Sequence, residues 1–68
     1  MYQFKKELKK SLLEGRTVKY IAEKIEFSEV HLSNILNGKN TCKKSTAYFI
    51  TKMCNEHNEV EDYFIKIR

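Results

Sequence analysis

Residues 17–39, TVKYIAEKIEFSEVHLSNILNGK, constrain this chain more than any other stretch. One small residue, Ala22, stands among larger apolar ones, and Glu26-Phe27-Ser28 interrupts an otherwise helical pattern. Thr17 is a good N-cap, followed by Val18, Ile21, Ala22 and Ile25 at helical spacing. Ser28 is placed to cap another helix running to about Leu36, which Asn37-Gly38 terminates. Two helices that cross steeply over a three-residue turn need a small residue where their backbones approach. Ala22 fills that place, Phe27 plugs the angle, and Leu32 and Ile35 face the core. The unit has the logic of a helix-turn-helix with its core at 17–38.

Other helices surround it. Phe4, Leu8 and Leu12, with Leu13 beside them, predict an amphipathic helix over 3–14, and Gly15 is placed to end it in a left-handed cap. A fourth helix fits Cys42 to about Asn55, with Ala47, Ile50, Met53 and Cys54 inward and Tyr48 or Phe49 covering a flank. Asn58 or Glu59 can open a short last helix through Val60, Tyr63, Phe64 and Ile67. A strand over 63–67 suits the aromatic and Ile content but has no obvious partner, so helix is preferred. The expectation is an all-α, compact bundle of about five short helices forming a single domain, residues 1–68. With no Pro, two Gly and 68 residues, the chain has no evident linker and can build one small core.

Net charge is +4, and its placement matters more than its sum. Lys5, Lys6, Lys9 and Lys10 crowd the first predicted helix, and residues 38–55 carry Lys39, Lys43, Lys44 and Lys52 with no acid. Glu56, Glu59, Glu61 and Asp62 gather near the C-terminus. Such asymmetry suits a polyanion facing one side of the molecule. At about 100° per residue, Glu29, Val30, Ser33, Asn34 and Asn37 fall within one arc of roughly 140° on the helix after Ser28, opposite Leu32 and Ile35. Short amides and hydroxyls suit close approach to base edges: Asn pairs with adenine, Glu accepts from cytosine N4, and Val touches a thymine methyl.

Residues 17–39 resemble the helix-turn-helix of the phage repressor and Cro family, the lambda-repressor-like DNA-binding domains. The likeness rests on Ala22, Ile25, Phe27, Ser28, Leu32, Ser33, Ile35 and the Asn37-Gly38-Lys39 ending, and extends more loosely over the GKNT loop, CKKSTAYFITKMCN and the closing VEDYFI. The resemblance implies a transcriptional regulator that binds a double-stranded DNA operator, with helix 28–37 in the major groove. Its base-reading positions fall on Ser28, Glu29, Val30, Ser33 and Asn34. Its phosphate positions fall on Thr17, Val18, Asn37, Lys39, Asn40 and Thr41, extended by Lys43 and Lys44. Lys5 and Lys6 read as a solvated face, while Lys9 and Lys10 either share it or touch the DNA backbone beside the recognition helix. Two residues depart from the pattern. Glu26 stands where the family usually has a left-handed Gly, at a cost of about 1 kcal/mol. Glu29 brings a carboxylate to a face that meets phosphates, which favours a narrow sequence preference or low intrinsic affinity.

A homodimer reading two half-sites is expected, at least on DNA. Tyr63, Phe64, Ile65 and Ile67 either close the core over the first helix or, where the last helix cannot bury all four, leave the remainder as its contact patch. Neither catalysis nor a cofactor is expected: no phosphate loop is present, and nothing around Cys54 marks a nucleophile. In CNEH, Cys54 and His57 supply only two ligands, short of a zinc site. The opening MYQFKKELKK holds no apolar run of signal or membrane-spanning length, and Cys42 and Cys54 show no paired spacing. A cytoplasmic, nucleoid-associated protein without a membrane partner is the expectation. The competing class is a small helical protein-interaction module, anti-repressor or antitoxin-like, that binds another regulator.

Overall fold

The computed structural model describes residues 1–67. It runs β1 (Tyr2–Phe4), a 3-10 turn (Lys6–Leu8), α1 (Lys9–Leu13), α2 (Val18–Ile25), α3 (Glu29–Leu36), α4 (Lys44–Cys54), α5 (Val60–Tyr63) and β2 (Phe64–Lys66). The chain is therefore mostly helical, with one short two-stranded sheet.

Caps set the central pair. The Thr17 hydroxyl accepts from the Tyr20 N–H at 3.0 Å and the Ser28 hydroxyl from the His31 N–H at 3.0 Å, each satisfying a donor that a helix start leaves unpaired. Between the helices Glu26 enters the left-handed region, at φ 62° and ψ 37°, and the Phe27 N–H returns to the Ala22 carbonyl at 2.8 Å. Ala22 is 1% exposed. Leu32, Ile35 and Leu36 turn fully inward from α3, and Phe27 packs partly against the same core.

The ends differ from the expected all-α bundle. The predicted helix over 3–14 is β1, a 3-10 turn and the short α1. Tyr2 and Phe4 are buried on one side of Gln3, a period-two pattern, and β1 pairs antiparallel with β2 in the register Tyr2↔Lys66, Gln3↔Ile65, Phe4↔Phe64. The partner that a C-terminal strand seemed to lack is thus the N-terminus, and the predicted last helix stops at Tyr63. The predicted fourth helix begins two residues late. Cys42 exchanges backbone hydrogen bonds with Tyr2, at 2.7 and 2.8 Å, as an isolated antiparallel bridge beside the sheet. The left-handed cap expected at Gly15 begins one residue earlier, since Glu14 has φ 52° and Gly15 φ 84°. Of the four apolar residues considered for a dimer contact, Tyr63 and Phe64 close the core, Ile67 is half-buried and Ile65 is exposed.

Candidate nucleic-acid interface

Helix α3 and the loop behind it bring most of the singled-out residues onto one surface. At the head of the helix Glu29 is exposed and Val30 is 70% exposed. Ser28 is also exposed, but its hydroxyl is engaged as the N-cap. Ser33 and Asn34 are half-buried further along the same face. Among the described residues the Asn34 side-chain amide makes no hydrogen bond within the chain, while its carbonyl accepts from the N–H groups of Lys39 and Asn40 at 2.9 and 3.2 Å. Those two bonds to the backbone carbonyl fold the loop back onto the end of α3.

The loop is basic and open. Lys39, Asn40, Thr41, Lys43 and Lys44 are all exposed, and among the described residues none of these lysines has an ion-pair partner. Lys43 is the N-cap of α4 and makes no side-chain cap bond, Lys44 is the first residue of that helix, and its first turn holds no acid. Two cations at the positive end of a helix dipole oppose it, an arrangement an arriving anion relieves. Thr17 is exposed and occupied as a cap. Val18 packs partly against the core, so only its backbone N–H at the helix start is left to meet an anion.

The sequence leaves open whether Lys9 touches the DNA backbone, and only the fold shows how the N-terminal segment reaches this surface. The Gln3 amide donates to the Gly38 carbonyl at 3.1 Å, and Lys9 donates to Asn37 Oδ1 at 3.0 Å. Asn37 in turn donates to the Ser33 hydroxyl at 3.2 Å. The Gln3–Gly38 and Lys9–Asn37 bonds join residues 35 and 28 positions apart in the chain, so no local pattern signals them.

Other chemistry finds little here. Burial pushes both the Cys42 and the Cys54 thiol above the ordinary value, with Arg16 and Lys24 pulling Cys54 back only in part. A shallow depression of about 380 Å³ lies over Cys54, lined also by Arg16, Lys24, Lys52, Met53 and Glu56. Two of its three cations, Arg16 and Lys52, are committed internally. Arg16 donates to the carbonyls of Leu12, Leu13 and Cys54, and Lys52 to those of Glu56 and Asn58 and to the Glu59 carboxylate. Among the described residues no three His, Cys, Asp or Glu side chains converge as metal ligands, and no helix is long and apolar enough to cross a membrane. Set against protein-family models, curated proteins and solved structures, the chain matches none of them.

Proposed function

We propose that this chain is a sequence-specific double-stranded-DNA-binding transcriptional regulator of the phage repressor and Cro kind. In this reading α2 and α3 form a helix-turn-helix, and α3 enters the major groove. The observation that carries it is the pairing of two surfaces: the exposed short-side-chain face of α3 and the acid-free basic loop that follows it. The first suits base edges, and the second suits the phosphates beside them. Asn34 and Glu29 are the base readers. Lys39, Asn40, Thr41, Lys43 and Lys44 are the phosphate contacts, with Asn37 at the end of α3 and Thr17 and Val18 at the start of α2. Two copies on paired half-sites would double the few base contacts that one small domain makes.

A second reading has an observation of its own. Tyr20, Tyr48, Phe49 and Val30 are large apolar residues between 40% and 70% exposed, and such surface suits a protein partner.

Selection from randomised duplexes near physiological salt, followed by a salt titration of the winner, separates the two. An enriched site with half-sites about one helical turn apart supports the DNA-binding reading. In that case Asn34→Ala loses affinity selectively, and Lys39→Ala weakens all sequences alike. Weak binding without enrichment that vanishes as salt rises favours the protein partner.

A further inference from the structure

The end of an α-helix carries partial negative charge and ought to repel a phosphate. Helix α3 ends in the middle of the proposed interface, yet three of its last carbonyls there are covered. The carbonyls of Ser33, Asn34 and Ile35 accept from the N–H groups of Asn37, of Lys39 and Asn40, and of Gly38, respectively. The Gly38 carbonyl takes the Gln3 amide. The side chains continue the pattern. Asn37 Oδ1 takes Lys9 Nζ at 3.0 Å, and Ser33 Oγ takes Asn37 Nδ2 at 3.2 Å.

The direction of this relay decides what it offers outward. Lys9 has three N–H bonds and uses one. The Asn37 amide has two and uses one. The Ser33 hydroxyl is used as an acceptor, and among the described residues its own hydrogen is donated to no group in the chain. Lys9 also fixes which end of the Asn37 amide faces it, because an ammonium can only donate. What remains is a cluster rich in donors, on Ser33, Asn37 and the charged Lys9, beside one unused acceptor lone pair each on Ser33 Oγ and Asn37 Oδ1. A base edge presents donors and acceptors in sequence-dependent order. A phosphodiester presents acceptors only.

We infer that Lys9, Asn37 and Ser33 form a single donor-rich, cationic seat for one backbone phosphate of the duplex. Lys9 thereby joins the interface from outside the helical pair, and Ser33 positions the backbone rather than reading a base. This inference rests on the DNA-binding reading.

The test measures binding of the whole chain to the selected duplex carrying a neutral methylphosphonate at each backbone position in turn. The parent should lose about tenfold at one position in each half-site, the scale of one charge-assisted hydrogen bond. Lys9→Met should lose about tenfold on the unmodified duplex and nothing further at that position. Asn37→Ala added to Lys9→Met should change little, since both act on one phosphate. Lys9→Gln, which keeps a donor for Asn37, provides the same readout if Lys9→Met melts early. Should the parent bind while the Lys9 variants stay as sensitive as the parent at every position, the seat is overturned and the DNA-binding reading stands. If the parent binds no duplex at any salt concentration, both fall together.

Discussion

Phe4 and Phe64 sit opposite each other across the sheet, their rings edge to face with centroids 5.2 Å apart. This contact joins the two ends of the chain. Both residues are at most 3% exposed, and Phe4 also stacks on Tyr63 at 6.4 Å. Truncating a buried Phe costs about 3–5 kcal/mol, against a total of roughly 5–15 kcal/mol for a typical domain. Phe64→Ala should therefore remove most of the cooperative thermal transition followed by circular dichroism. Ile65→Ala, one residue on and 53% exposed, should stay within about 0.5 kcal/mol of the parent. Similar losses from both would show that the sheet as a whole, and not the ring pair, carries the stability.

That pair also marks where sequence reasoning stopped. The central helices were legible because their signals are local: Thr17 and Ser28 cap them, Ala22 and Leu32 pack between them, and Asn37-Gly38 ends the second. The sheet was not, because a three-residue strand leaves a weak alternation in Tyr2-Gln3-Phe4. Its partner lies sixty residues away, at Phe64, and Phe4, Leu8 and Leu12 can equally be spaced as a helix. The candidate site divides the same way. The face of α3 follows from helical geometry, whereas the Lys9–Asn37 and Gln3–Gly38 bonds need the fold.

Glu26 offers a direct check of the turn. Its φ of 62° is a conformation that an L-residue with a Cβ adopts at a cost. Glu26→Gly should release that strain, partly offset by the greater freedom of Gly in the unfolded chain. The expected net gain is about 0.5–1 kcal/mol, read as a higher urea midpoint at unchanged slope. A loss of stability would mean that the Glu26 side chain contributes more than its backbone strain removes.

Thr51 is fully buried on α4, and its hydroxyl is the one buried side-chain polar atom without a hydrogen-bond partner among the described residues. Leaving such a group unsatisfied costs about 1–3 kcal/mol. Thr51→Val keeps the shape and removes the hydroxyl, so it should raise stability by about 1 kcal/mol. Thr51→Ser keeps the hydroxyl and opens a methyl-sized gap, and it should do the reverse. If Val destabilises, a partner for the hydroxyl has to exist in solution.

Acid should loosen the start of α5 through Asp62. Its carboxylate accepts from the Glu59 N–H at 2.8 Å and from the Asn58 amide at 3.2 Å. Those bonds hold its pKa below the usual carboxylate value. A carboxyl with a lowered folded-state pKa stabilises the fold above its unfolded pKa, near 4 for Asp, and loses that contribution as pH falls through the folded value. Melting temperatures taken between pH 6 and pH 2 should therefore fall less steeply in Asp62→Asn than in the parent. Parallel curves would show that Asp62 titrates alike in both states.

Lys43 tests whether the basic loop is arranged for a partner at the expense of the fold. It occupies the N-cap of α4 with an extended backbone, φ −72° and ψ 161°, yet its side chain cannot accept the bond that this position invites. Lys43→Ser supplies an acceptor and removes a cation from the positive end of the helix dipole, so the free protein should gain about 1 kcal/mol. If Lys43 meets a phosphate, the same change should weaken binding to all duplexes alike and reduce the slope of log K against log salt by about 0.9. Greater stability together with weaker, less salt-dependent binding would identify a residue placed for its partner. Greater stability with binding unchanged would make Lys43 an ordinary solvated lysine and confine the phosphate contacts to Lys39, Lys44 and the end of α3.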